Sequence, residues 1–193
     1  MQQGPIKLIV GLGNPGPQYE NTRHNVGVWC VQALAAKYAC TFKMESKFKG
    51  FFSVLAIEQQ SCKLLLPTTF MNLSGEAVLA VAHFYKIPVT EILVVHDELD
   101  FSAGTIRLKK SGGANGHNGV QNIINLLGNP DFYRLRIGIG KPLHKDKMLD
   151  YVLTSPSKTE KNLILDAIDR VVAIMPDLII GNIDKATQIL HTA

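Results

Sequence analysis

Short apolar runs alternate with stretches of helical spacing along most of the chain. Ile6 to Leu12 is a short, mostly apolar run that stops at Gly13-Asn14-Pro15-Gly16-Pro17, so it reads as a buried strand entering a turn-rich loop. Val26 to Tyr38 sets Val28, Val31, Leu34, Ala35 and Tyr38 at helical spacing. Phe51 to Ile57 and Cys62 to Leu66 are strand-like, and the polar Glu58-Gln59-Gln60-Ser61 between them predicts a hairpin. Ser74 to Tyr85 predicts a helix, with Ser74 as its cap, Glu76 in the first turn and Pro88 beyond its end. Ile92 to His96 is another buried strand, followed by the acidic Asp97-Glu98-Leu99-Asp100. Thr105 to Lys109 alternates like a half-exposed strand. Val120 to Leu127 is a helix closed by Gly128-Asn129-Pro130, and Tyr133 to Ile139 is strand again. Lys158 to Met175 and Ile183 to His191 read as helices. Strands that alternate with helices predict an α/β fold, and no linker or repeat divides the chain, so one domain is expected over 1–193.

Composition removes whole classes of function. With 193 residues, 46% hydrophobic and 19% charged, the chain can repay its ordering entropy and build a core without disulfides or metal. The longest apolar runs, Ala77 to Ala82 and Val171 to Met175, fall far short of the roughly 18 to 20 residues of a membrane span. Met1-Gln-Gln-Gly-Pro lacks the pattern of a secretory signal, so a cytoplasmic protein with no membrane partner is expected. Cys30, Cys40 and Cys62 form no C-x-x-C pair and read as idle thiols. The net charge of +4 is unevenly spread. Residues 1–104 are balanced, whereas 105–147 hold Arg107, Lys109, Lys110, Arg134, Arg136, Lys141, Lys145 and Lys147 against only Asp131 and Asp146. That suits a nucleic-acid contact face, and equally a set of solvated strand and loop ends.

Gly11-Leu12-Gly13-Asn14-Pro15-Gly16 matches G-x-G-x-x-G, the dinucleotide fingerprint. Pro15 and Pro17 flank Gly16, no apolar helical stripe follows, and no acidic residue stands about 20 positions on. A turn or a ligand-lining loop at a strand end fits better. His24, in Asn21-Thr22-Arg23-His24-Asn25, follows that loop, and Asp97 ends another buried strand. If the two strands are parallel neighbours, both residues reach one crevice, where a carboxylate fixes an imidazole's tautomer and raises its basicity. The rival readings of Asp97 are a helix cap and a magnesium ligand beside Glu98 and Asp100; no second ligand cluster supports the metal. No G-x-S-x-G, H-E-x-x-H or Walker lysine loop is present, so attack by activated water is favoured over a covalent enzyme. The loop asparagines Asn14, Asn72 and Asn118 are turn formers that can also bind a carbonyl or an oxyanion. The loop Gly112 to Gly119 leads from the basic strand into a helix, a place for an anion.

These segments together resemble the bacterial-type peptidyl-tRNA hydrolase family. The matching blocks are Leu8 to Gly16 with Tyr19 to Gly27, Pro67 to Gly75, Val95 to Asp100, and Gly112-Gly113 to Gly119 followed by Arg134 to Gly140. They stand in family order over nearly the whole chain. The resemblance implies a twisted, mixed, mostly parallel β-sheet flanked by helices, active as a monomer with no cofactor and no metal. It implies hydrolysis of the ester between a peptide and the 3′-terminal ribose of tRNA, with peptidyl-tRNA recognised at its acceptor stem and 3′ end. By position, His24 is then the base that activates water, and Asp97 orients it. Asn14, Asn72 and Asn118 hold peptide or water and stabilise charge at the carbonyl. Tyr19, Phe70 and Met71 line the cleft, His117 lies on the substrate side facing tRNA, and Lys109 and Arg136 meet the tRNA near its 5′-phosphate or acceptor stem. The alternative is a non-catalytic RNA-binding relative of the same fold, which has no need of the base. Thr154-Ser-Pro-Ser157 lies outside the matching blocks.

Overall fold

The computed structural model describes residues 4–142, 144 and 147–192. Lys145 and Asp146 of the basic segment lie outside the described residues, as does the start of the chain at 1–3. The strands are β1 (Leu8–Gly11), β2 (Lys43–Glu45), β3 (Gly50–Ile57), β4 (Gln60–Pro67), β5 (Ile92–Glu98), β6 (Ile106–Lys110) and β7 (Tyr133–Gly138). The helices are α1 (Val26–Lys37), α2 (Ser74–Tyr85), α3 (Asn118–Leu127), α4 (Met148–Val152), α5 (Lys158–Ile180) and α6 (Ile183–Thr192).

All seven strands join one mixed sheet in the order β2-β3-β4-β1-β5-β7-β6. Its centre, β4-β1-β5-β7, is parallel, and β2, β3 and β6 pair antiparallel at the two edges. Both faces of the centre are covered, which is why its strands read as continuous apolar runs rather than alternating ones. In β1 and β5, Ile9, Leu93 and Val95 pack with α1 and α5, while Leu8, Val10, Ile92 and Val94 pack with α2 and α3. β1 lies between β4 and β5, Gly11 opposite Val95, so the carboxyl ends of β1 and β5 adjoin. Such a reversal of strand order is where α/β sheets open a ligand crevice. Gly27 lets α1 sit against that crevice: a Cβ there would collide with the Val95 carbonyl and meet Leu12 N at 2.6 Å.

The expected elements appear, with corrections. β5 runs on through Asp97 and Glu98 instead of stopping at His96, because all seven of its residues are buried between neighbouring strands. β2 and α4 carried too little periodicity to be foreseen: one has three residues and the other five. α5 does not end at Met175 but passes through Pro176 to Ile180, since Leu178 and Ile179 still reach the core. That burial offsets the backbone bond that proline removes. Ser74 is no cap; it is the first residue of α2, and its hydroxyl donates to the Met71 carbonyl at 2.8 Å. Glu76 pairs with Lys49. Cys30 and Cys62 are buried and all three cysteines are free. No helix among the described residues is long and apolar enough to cross a membrane.

Candidate active site

Two strand ends and one helix start converge at the crevice. A short 3₁₀ turn, Arg23–Asn25, follows the loop after β1 and carries His24. β5 presents Asp97 beside it, with Nδ1 of His24 2.8 and 2.9 Å from the two carboxylate oxygens. His117, at the N-cap of α3, places its Nε2 3.0 Å from Oδ1 of the same carboxylate. The Val120 amide donates to His117 Nδ1 at 3.3 Å. That nitrogen must accept, so His117 turns its Nε2–H toward Asp97 and donates to the carboxylate. His24 donates through Nδ1–H in the same way, leaving its Nε2 lone pair as the free base.

The electrostatics follow from this packing. Burial disfavours imidazolium at His24, but the charge and hydrogen bond of Asp97 outweigh it and hold the pKa above its ordinary value. Burial pushes the Asp97 carboxyl up, and the two histidines, by charge and hydrogen bonds, overcome this and keep it well below the usual carboxylate range. The carboxylate is therefore ionised wherever His24 can act. His24 Nδ1, Asp97 and His117 Nε2 lie within 4.8 Å of one another, a spacing within which a metal could sit. Here both nitrogens hold protons directed at the carboxylate, so neither presents a lone pair to an ion.

A cavity of about 460 Å³ opens beside the cluster, walled by His24, Asp97, His117, Asn118, Lys141 and, from α4, Leu149 among others. Asn118 is thus brought to His24 as expected, as the exposed first residue of α3. Asn14, Tyr19, Phe70 and Asn72 are not among the walls of this cavity. They stand in the loops after β1 and β4, the next strand ends along the same row. Those loops are tied together: Asn14 Oδ1 accepts from Met71 N at 2.8 Å, and the Tyr19 and Phe70 rings meet edge to face at 6.3 Å. Asn72 and Phe70 are exposed there. Met71 is corrected. It does not line a cleft but is buried in the core on the α2 side, because its apolar side chain packs under α3, where the missing Cβ of Gly119 leaves room for its sulfur. His117 is also placed differently: it faces Asp97 with 8% of its side chain exposed, instead of projecting toward an RNA.

The basic strip is partly buried. Arg134 is only 2% exposed, stacks on Phe132 and donates to the carbonyls of Gly112 and Gly113, so it shapes the glycine loop from within. Arg136 pairs with Glu98 at 3.3 Å, and Lys109 is exposed. Lys109, Arg134 and Arg136 wall a second cavity of about 340 Å³ with His96 and Glu98.

Two residues went unnoticed in the sequence. Arg23, buried next to His24, donates to Tyr151 O, Thr154 O, Thr154 Oγ1, Ser155 O and Glu160 Oε2 and lies 4.0 Å over the Tyr151 ring. It fastens the histidine's turn to Thr154-Ser-Pro-Ser157, the stretch outside the matching blocks. His96 is the other, and only its place before Asp97 could have drawn attention to it.

Comparison with known proteins places this geometry. A family model described as peptidyl-tRNA hydrolase matches residues 8–193. A peptidyl-tRNA hydrolase of Coxiella burnetii is 52% identical over 189 residues, covering 98% of this chain and 99% of the relative. One from Alcanivorax borkumensis is 49% identical over 188 residues, covering 97% and 96%. The crystal structure of peptidyl-tRNA hydrolase from Acinetobacter baumannii superposes with a TM-score of 0.94 at 43% identity, over 99% of this chain and 96% of that one.

Proposed function

Because the chain belongs to the peptidyl-tRNA hydrolase family, we propose that it cleaves the ester joining a peptide to the 3′-terminal ribose of tRNA, with His24 as the general base. The observation that carries the assignment is the contact of His24 Nδ1 with both oxygens of Asp97. With Nδ1–H committed to the carboxylate, the Nε2 lone pair takes a proton from water as it attacks the ester carbonyl. Asp97 stabilises the imidazolium that forms, and the proton then passes to the departing ribose oxygen. The negative charge on the carbonyl oxygen calls for neutral donors, a role that suits the Asn118 amide beside His24 and those of Asn14 and Asn72. Tyr19 and Phe70, on the β1 and β4 side, offer ring surface to the peptide. Lys109 and Arg136 take the tRNA acceptor stem near its 5′-phosphate. An ester is weak enough that this pair and water suffice with no covalent intermediate, cofactor or metal, and the chain acts as a monomer in the cytoplasm where tRNA is used.

The test is release of a labelled N-acyl-aminoacyl group from tRNA by the purified protein, beside His24→Ala. Release by the wild type and its loss in the variant are expected. Full activity in His24→Ala would remove the assigned base.

A further inference from the structure

Between the catalytic cluster and the basic cavity lies one side chain that the mechanism does not use. His96 is 3% exposed, in the middle of β5. Its Nδ1 sits 2.7 Å from the backbone carbonyl of Asp97. A carbonyl only accepts, so Nδ1 carries the proton and donates. The same ring stands edge to face against His117 with centroids 4.7 Å apart. Its Nε2 has no partner among the described residues, and the ring forms part of the wall shared with Lys109, Arg134 and Arg136. We propose that His96 is a positioning residue for the hydrolysis: one hydrogen bond fixes the backbone of Asp97 and one ring edge fixes His117, so the carboxylate meets both histidines at bonding distance. This rests on the hydrolase reading above.

Three features set it apart from ordinary core packing. A buried polar ring in a parallel strand costs free energy that an aliphatic residue would not, unless its polar atoms are used. Here one is used, and on the residue that carries the catalytic carboxylate. The Asp97 carbonyl is within reach of the bond because β1 has already ended beside it: Leu12 N donates to the Val95 carbonyl as β1 leaves the sheet, while β5 stays paired with β7 through Glu98. His96 is also neutral at any working pH, since burial pushes its pKa down to about 3. It holds its partner without competing for the proton that His24 must take.

Two substitutions separate the bond from the ring. His96→Asn keeps an N–H near the Nδ1 position, and His96→Phe keeps the ring edge without the donor. In His96→Phe, kcat on peptidyl-tRNA is expected to fall about 10- to 100-fold with KM within about twofold, the scale of a catalytic group displaced by a fraction of an ångström to one ångström. His96→Asn should recover most of that loss. Histidine NMR provides a reading that needs no substrate: the ring resonances of His24 and His117 should shift in His96→Phe and return toward wild type in His96→Asn. Unmoved resonances, or wild-type kcat in His96→Phe, would overturn the proposal, as would a loss in KM alone, which assigns His96 to substrate binding. An inactive wild type with the expected resonance shifts would count against the hydrolase reading and leave the positioning role standing.

Discussion

The backbone N–H of Val120 donates to Nδ1 of His117, and this one bond decides which way a proton points at the active site. A His117 of the other tautomer would set two donors against each other at α3 and leave Asp97 facing a lone pair. The helix therefore organises the catalytic carboxylate from its first turn. His117→Ala removes one of the two imidazoles that hold the Asp97 carboxylate and is expected to lower kcat by about tenfold, less than the roughly 10²- to 10⁴-fold expected for His24→Ala. Steady-state kinetics on N-acyl-aminoacyl-tRNA rank the two, and a larger loss in His117→Ala would exchange their roles.

The pH profile follows from the direction of the His24 shift. In the proposed mechanism the neutral ring is the base, and Asp97 raises its pKa, so kcat/KM should climb through an apparent value above the ordinary 6.5. In Asp97→Asn only burial acts, and burial lowers the pKa. The limb should then move to lower pH while the plateau falls by about 10²-fold or more. A limb that stays in place in Asp97→Asn assigns the titration to another group.

The same pair makes stability depend on pH in two directions. Asp97 is depressed, so its contribution is present above its ordinary 3.8 and is lost as pH falls through the lowered value. His24 is raised, so its contribution is full below 6.5 and is lost as pH rises through the raised value. The gap in melting temperature between wild type and His24→Ala is expected to be widest between these limits and to narrow on both sides. A gap independent of pH would mean that the pair does not ionise as described.

Arg23 should matter to both folding and turnover. Arg23→Ala leaves four backbone or hydroxyl acceptors and Glu160 without their donor, and is expected to cost about 3 kcal/mol or more. Arg23→Lys keeps the charge but not the planar fork, and should recover less than half of that. Chemical denaturation measures both, and a loss under about 1 kcal/mol in Arg23→Ala would show that the clamp is solvated in practice.

The basic residues should separate by burial. Lys109→Ala is expected to weaken tRNA binding and reduce the slope of log K against log salt by about 1, with hydrolysis of a small ester unchanged. Arg136→Ala should also weaken binding, but it strips Glu98 of its ion pair and lowers stability as well. Equal loss on tRNA and on the small ester would remove both from the tRNA face.

Much of this arrangement was legible because the decisive signals are local. Ile6 to Leu12 and Ile92 to His96 are apolar runs that end in polar residues, and in a parallel sheet such ends adjoin. Given parallel neighbours, which β1 and β5 are, that pattern brings His24 and Asp97 to one crevice. His117 escaped because its bond to Asp97 spans 20 residues and a change of element, and nothing in Gly116-His117-Asn118 distinguishes an inward ring from an outward one. Arg23 escaped for the same reason at greater range, since its partner Glu160 stands 137 residues on. Charge misled at Arg134, where a guanidinium counted toward the surface is spent on two loop carbonyls inside. The helix read as ending at Met175 runs on to Ile180 because a helix boundary reflects the core it covers as well as the proline that resists it.

The order of strands in the sheet also orders events in time. β1 sits at the centre but is made first, and its neighbour β5 follows only after β2, β3, β4 and two helices. A growing chain that has reached β5 owns a base and a carboxylate but no His117 to share it and no Glu160 to hold the base's turn. Until synthesis has passed residue 160, the chain is joined to its own tRNA by the bond its mature form cuts and lacks the parts that hold this cluster together.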